Sequence, residues 1–267
     1  MRALAIISGQ GWTFDTVASD YEKMRPGYPG ELYRALLQYQ PLSESSDALE
    51  IGIGAGQATL PILQTGCKVT AVEYGEHFSR IVRKKFRAYP GFAVITGKFE
   101  DTELTGKYDL IYSAAAFHWI PEEIGYTKVF SLFKNGGAFA RFACHPDRIT
   151  EDPDLSEEID GVYAEYYYPF YHKPPEKVSL YDEKQAKQRA FLAEKYSFTD
   201  IQYAMFHRTR SFSAKEYTAL LGTYSDHIAI EEGIRSLFFA EIENTIERHG
   251  GRIVIHDTID LEMARKP

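Results

Sequence analysis

LEIGIGAGQATL, Leu49 to Leu60, decides the fold. An apolar run ends in an acid, Glu50, passes through a glycine-rich turn and enters the start of a helix. Gly52, Gly54 and Gly56 stand at alternate positions. Glycine permits tight backbone angles and a close approach by a ligand. Glu50 matters more than the glycines, because a carboxylate beside the turn repels phosphate and attracts a cation. The dinucleotide fingerprint needs its third glycine one residue later, where Gln57 stands. The turn therefore suits an adenosine-bearing ligand with positive charge better than a pyrophosphate. The competing reading is a glycine turn needed only for close helix–strand packing.

Strand-like and helical runs alternate outward from this turn. Helical patterning covers Glu31 to Tyr39, entered through Pro29 and Gly30 and stopped by Pro41. Strands are expected at Ala48–Ile51, Lys68–Val72, Phe92–Ile95, Tyr108–Ser113 and Ala138–Ala143. Helices are expected at Gln57–Leu63, Glu76–Ala88 and Pro121–Phe133, with Asn135-Gly136-Gly137 as a C-cap and turn. This alternation argues for a parallel sheet covered on both faces. The pattern breaks from about His145 to Ser197, where AEYYYPFYHKPP and a charged helical run read as an insertion or cap. Ile201–Ser211 and Arg252–Leu261 pair as a closing hairpin, with helical segments at Ala214–Leu221 and Ile230–His249 between them. The 267 residues read as one domain, with a lid segment at 14–40 and a cap at 145–198 over the acceptor side.

The chain carries a net charge of −8 and no long Lys/Arg run, which argues against nucleic acid as a partner. Cys67 and Cys144 form no disulfide framework or metal spacing and suit a reducing, cytoplasmic setting as buried thiols. No apolar run approaches a membrane span. The expected assembly is a monomer or homodimer.

In a parallel sheet, ligands bind beyond the carboxyl ends of the strands. Glu73 ends the second strand, about twenty residues beyond the turn, where an acid accepts from ribose hydroxyls; Tyr74 follows it. After the third strand, Phe99 is placed to stack on an adenine, and Glu100 or Asp101 to accept from its amine. At the end of the fourth strand, the small residues Ser113, Ala114 and Ala115 leave room for a ligand that Phe117, His118 and Trp119 would wall. His118 is the candidate base or hydrogen-bond donor. Tyr21, Arg25 and Tyr28 face inward from the lid segment, and Arg208 and Arg210 share one strand face, where they would pair with an anionic substrate. The ligand that fits an acid, this turn and a ribose acid together is S-adenosylmethionine, with its ammonium and sulfonium.

Together these residues resemble a class I S-adenosylmethionine-dependent methyltransferase over nearly the whole chain. The finer resemblance is to the small-molecule branch that looks like trans-aconitate methyltransferases. It is carried by LEIGIGAGQATL, VTAVEYGEHF, YDLIYSAAAFHWI, LFKNGGAFARF, the N-terminal Tyr21, Arg25, Pro26 and Tyr28, and TYSDH. That branch often has an acid where this chain has Lys98. The resemblance implies an α/β, Rossmann-like seven-stranded sheet in order 3-2-1-4-5-7-6 with strand 7 antiparallel. It also implies methyl transfer from S-adenosylmethionine to a small-molecule carboxylate, hydroxyl or amine, with Tyr21 and Arg25 on the donor and Tyr28 on the acceptor side. The alternatives are an NAD-dependent oxidoreductase and a non-catalytic methyltransferase-like binding module.

Overall fold

Apolar runs rich in Val, Ile, Leu and Ala form the inner strands of one seven-stranded sheet, in order β3-β2-β1-β4-β5-β7-β6. The computed structural model describes Arg25 and residues 27–147, 152–175 and 180–267. Tyr21, with the rest of 14–24, lies outside the described residues. The first half runs α1 (Gly30–Tyr39), β1 (Asp47–Ile51), α2 (Thr59–Leu63), β2 (Lys68–Glu73), α3 (Glu76–Lys85), β3 (Phe92–Thr96), β4 (Tyr108–Ala114) and α4 (Glu122–Ser131). The second half runs β5 (Phe133–Asp147), α5 (Pro153–Val162), a π-helical turn (Tyr163–Tyr167), α6 (Tyr168–Phe170) and α7 (Glu183–Phe191). It continues through β6 (Thr199–Ser213), α8 (Ala214–Leu221), α9 (Ser225–Ile228), α10 (Glu232–Arg248) and β7 (Arg252–Arg265). Strands β1 to β5 pair in parallel, and β7 runs antiparallel to both β5 and β6. The expected order and strand sense are both observed.

Both faces of the parallel part are covered, which is why β1 and β4 read as continuous apolar runs. Leu32, Leu36, Ile62, Val82 and Phe86 bring α1, α2 and α3 onto one face. Tyr126 and Val129 of α4, with Ala193 and Phe198 after α7, cover the other. A third apolar cluster joins α5, the π turn, α8 and α10 to Ile253 and Ile255 of β7. The expected cap at 145–198 is thus not one unit. Its end, from Glu183 onward, lies on the sheet face, and only the α5–α6 part joins α8 and α10.

Asn135-Gly136-Gly137 does not cap a helix. Strand β5 starts before it at Phe133, which pairs with Tyr108. Gly136 takes φ +74°, and a register shift between Tyr108 and Leu110 absorbs the extra residues. A Cβ on Gly137 would lie 2.7 Å from the Phe133 ring and 2.9 Å from the Tyr108 carbonyl. Strand β5 also runs past Ala143 to Asp147, because His256–Asp260 of β7 supplies its partner. Among the described residues, no helix is long and apolar enough to cross a membrane.

Candidate active site at the carboxyl ends of the parallel strands

The tips of β1, β2 and β4 meet at one edge. Gly52, Gly54 and Gly56 take φ of +71°, +54° and +75°, angles that favour glycine. A Cβ on Gly52 would lie 2.3 Å from the Ala116 Cβ, and one on Gly56 would lie 2.6 Å from the Phe86 ring. Close packing therefore demands two of these glycines. Ala115, just past β4, takes φ +54° without being glycine, and its amide donates to the Phe142 carbonyl at 2.8 Å. Such a backbone costs about 1–3 kcal/mol and persists where surrounding structure imposes it. Ala116 abuts the glycine turn at Gly52, and no local signal in the sequence marks that contact.

Glu50 is sealed from solvent at 0% exposure. Its Oε2 accepts from the Thr59 hydroxyl at 2.7 Å and the Tyr112 hydroxyl at 2.8 Å. Its Oε1 is buried with no hydrogen-bond partner. Burial, reinforced by the Glu73 charge, pushes the carboxyl up to about 8 against those two hydroxyls and Lys85. Glu50 thus sits beneath the turn rather than in an open wall, as its expected place beside a ligand ammonium would require. Glu73 ends β2, as expected, and bridges two turns. Its Oε2 accepts from the Gly54 amide and its Oε1 from the Gly75 amide, each at 2.8 Å. Both carboxylate oxygens are thereby engaged by backbone amides of the two turns.

Several expected wall residues turn inward. Phe99 is 4% exposed and packs with the core cluster of Ile51 and Val72, so it offers no adenine platform. Lys128 of α4 holds that loop, donating to the carbonyls of Phe99 and Thr102 at 2.6 Å and Glu100 at 3.1 Å. Ser113 is buried and donates to the Ile51 carbonyl at 2.8 Å, tying β4 to β1. Ala114 packs against the cluster of Tyr112. Phe117 is core, edge-on to Phe139 at 4.9 Å and to Tyr126 at 5.3 Å. Outward lie Tyr74, with the Lys98 ammonium 5.6 Å from its ring, and His118, whose ring is 5.0 Å from the partly buried Trp119. Solvent reaches His118, yet surrounding protein, with Arg189 and Arg141 near, pushes its imidazole down to about 4. At neutral pH it is an uncharged ring.

The second half of the sheet gathers charge. Arg208 and Arg210 do share a face, but both are committed to Asp257. Arg208 Nε and Arg210 Nε donate to Asp257 Oδ2 at 2.8 and 2.6 Å, and Arg210 Nη2 donates to Oδ1 at 2.8 Å. Arg208 Nη1 also donates to the Gly27 carbonyl at 2.6 Å. Burial would raise Asp257, but the two guanidiniums hold it below the usual carboxylate range. The expected anion contact is thus made inside the chain. Tyr28 packs edge-on to Phe142 at 4.7 Å. Arg25 donates from Nε to the Thr223 hydroxyl at 3.0 Å and lies 4.0 Å over the Tyr224 ring. On the opposite face, Arg189 pairs with Asp260 at 3.1 Å and Glu262 at 2.8 Å, and Arg141 pairs with Glu262. Tyr181 donates to Asp260 at 2.6 Å and stacks on His145 at 3.6 Å. A cleft of about 290 Å³ opens beside them, lined by His145, Tyr181, Gln185 and Thr258. None of this second network was among the expected site residues.

Residues 48–137 match the family model of a methyltransferase domain. An uncharacterized methyltransferase of Schizosaccharomyces pombe is 24% identical, covering 89% of this chain and 88% of its own. The fold is also that of a proposed type II methyltransferase from Anaeromyxobacter dehalogenans. That likeness has a TM-score of 0.62 and 22% identity, over 90% of this chain and 97% of that one. Phosphoethanolamine N-methyltransferase 2 of Haemonchus contortus, solved with phosphomonomethylethanolamine and S-adenosylhomocysteine, aligns with a TM-score of 0.55 and 14% identity. It covers 95% of this chain and 57% of that one.

Proposed function

We propose that this chain, a class I S-adenosylmethionine-dependent methyltransferase, passes the methyl group to a small-molecule acceptor near the tips of β4 and β5. The observation that carries the donor end is Glu50. Its buried carboxyl has two neutral hydroxyl donors and one unpartnered oxygen. A cation bound above the turn would favour its ionised form, whereas a pyrophosphate would oppose it. Glu73 ends β2, where an acid accepts from a ribose diol, Gly52 to Gly56 let a ligand approach the backbone, and Tyr74 and Glu100 are assigned to the adenine side. These residues fit S-adenosylmethionine.

Bound there, S-adenosylmethionine supplies an electrophilic methyl group on a sulfonium. The chain's share is alignment and exclusion of water. Within the proposed lid segment, Tyr21 and Arg25 are assigned to the donor and Tyr28 to the acceptor. His118, uncharged at neutral pH, serves as a hydrogen-bond partner for the acceptor and only as a weak base. An acceptor carboxylate needs no base, since its pKa is about 4. Arg208 and Arg210 act on the acceptor side through Asp257, by shaping that wall. A net charge of −8 supports a small acceptor over a polyanion.

Calorimetric titration with S-adenosylmethionine, S-adenosylhomocysteine and NAD tests the donor end; tighter binding of NAD would sink the assignment. A screen of small carboxylates, phenols and amines, read by S-adenosylhomocysteine release, tests the acceptor class. Donor binding with no turnover of any class would favour a binding module.

A further inference from the structure

Tyr163, Tyr167 and Tyr171 recur every four residues along the helical run that passes from the π turn into α6. Their hydroxyls converge on two residues of α9. The Tyr163 hydroxyl meets His227 Nε2 at 2.9 Å, and the Tyr167 hydroxyl donates to Asp226 Oδ2 at 2.7 Å. Tyr171 donates to the Asp226 carbonyl. His227 Nδ1 closes the set on Asp226 Oδ1 at 2.9 Å. Both ring nitrogens of His227 are thereby engaged. The set is sunk in the apolar cluster of Phe238 and Ile242, with Tyr163 at 6% exposure. That burial makes it a clamp rather than a reacting triad.

The clamped element is small. Helix α9 has four residues, too few to hold a helical turn by its own hydrogen bonds. It needs outside contacts, and these hydroxyls supply them. The two residues before it, Thr223 and Tyr224, form the seat of Arg25. The guanidinium donates to the Thr223 hydroxyl at 3.0 Å and the Thr223 carbonyl at 3.4 Å, and it lies 4.0 Å over the Tyr224 ring. One continuous path therefore leads from the tyrosine segment through α9 to Arg25.

We infer that Tyr163, Tyr167 and Tyr171 are positioning residues, which fix α9 through Asp226 and His227 and so hold the Thr223–Tyr224 seat in place for Arg25. The consequence for donor binding rests on the assignment of Arg25 to the donor lid. A preformed seat removes an ordering cost that would otherwise be paid on binding.

The test is the double variant Tyr163→Phe/Tyr167→Phe, which keeps both rings and deletes only the hydroxyls. Amide hydrogen exchange across residues 223–228 should accelerate roughly tenfold as the element opens more often. The Kd for S-adenosylhomocysteine should rise about fivefold, and that rise should vanish in an Arg25→Ala background, as a double-mutant cycle requires of coupled residues. If the double variant unfolds, Tyr167→Phe alone carries the same comparison with smaller changes. Unchanged exchange at 223–228 would overturn the inference, as would an equal loss of affinity with and without Arg25. Faster exchange together with an Arg25→Ala variant of native affinity upholds the clamp and removes Arg25 from the donor lid.

Discussion

Buried acids stand on both halves of the sheet, and their company differs. In the second half, Asp257 sits between Arg208 and Arg210, while Asp260 and Glu262 share Arg189 and Glu262 also takes Arg141. In the first half, Glu50 is held by two hydroxyls and keeps one oxygen without a hydrogen bond. A charge that folding removes from water must be compensated or neutralised. The second half surrounds its acids with its own cations, which hold Asp257 and Asp260 down, while burial still raises Glu262 between its two arginines. The first half leaves Glu50 largely protonated at neutral pH, because burial pushes it up to about 8. An acid satisfied inside the chain is part of the fold. Glu50, held by hydroxyls under a glycine turn with the Lys85 charge too weak to offset burial, is the acid proposed for the donor's cationic end.

The largest expected effect lies with the paired acids. Arg189→Ala leaves Asp260 and Glu262 short of a cation in the interior and should cost about 3–5 kcal/mol in urea unfolding at pH 7.5. A loss below about 1 kcal/mol would place those acids with the ordinary surface pairs and erase the contrast.

Glu50 should respond to pH in the opposite sense to Asp257 and Asp260, whose cations hold them below the usual carboxylate range. Its carboxyl stands at about 8 in the fold against 4.5 for the free group. Its contribution is therefore fully present below about pH 4.5 and lost as pH rises toward 8. Between pH 5 and 8 the native chain should lose about 2–4 kcal/mol relative to Glu50→Gln, since each pKa unit is worth about 1.4 kcal/mol. Parallel stability curves for the two proteins would show that Glu50 is already ionised in the fold.

Glu73→Ala removes a carboxylate that holds the Gly54 and Gly75 amides. Its S-adenosylhomocysteine affinity should fall by about 1–3 kcal/mol in calorimetric titration. Native affinity would confine Glu73 to bracing the turns. The smallest expected effect is at His118. With its imidazole down at about 4, its ring resonances should show no titration between pH 6 and 8 by NMR. A midpoint inside that window would restore it as a base.

The donor half was the more legible in sequence because its information is local. LEIGIGAGQATL holds an acid, the turn glycines and the helix entry within twelve residues, and the positive φ angles follow from glycine itself. Glu73 was found by its distance from that turn. Phe99 and Phe117 were misread for one shared reason. Each follows a strand across a turn, and the direction in which the chain leaves that turn decides whether a ring faces ligand or core. Arg208 and Arg210 were placed on one face by strand alternation, but Asp257 lies on another strand, and only the register of β6 on β7 brings it between them. The tyrosine segment was visible as composition, while its target, Asp226 and His227, lies more than fifty residues away.

By itself the amino-acid sequence determined the order of strands and helices along the chain, the turn, the acid before it and the acid that ends β2. Backbone propensity and hydrophobic period act over a few residues and are written where they act. Tertiary structure alone decided which acids are paired, which aromatic rings are core and what holds Arg25. Those outcomes depend on strand register and on contacts between distant segments, and burial sets the energy of a charge only after the chain has closed around it.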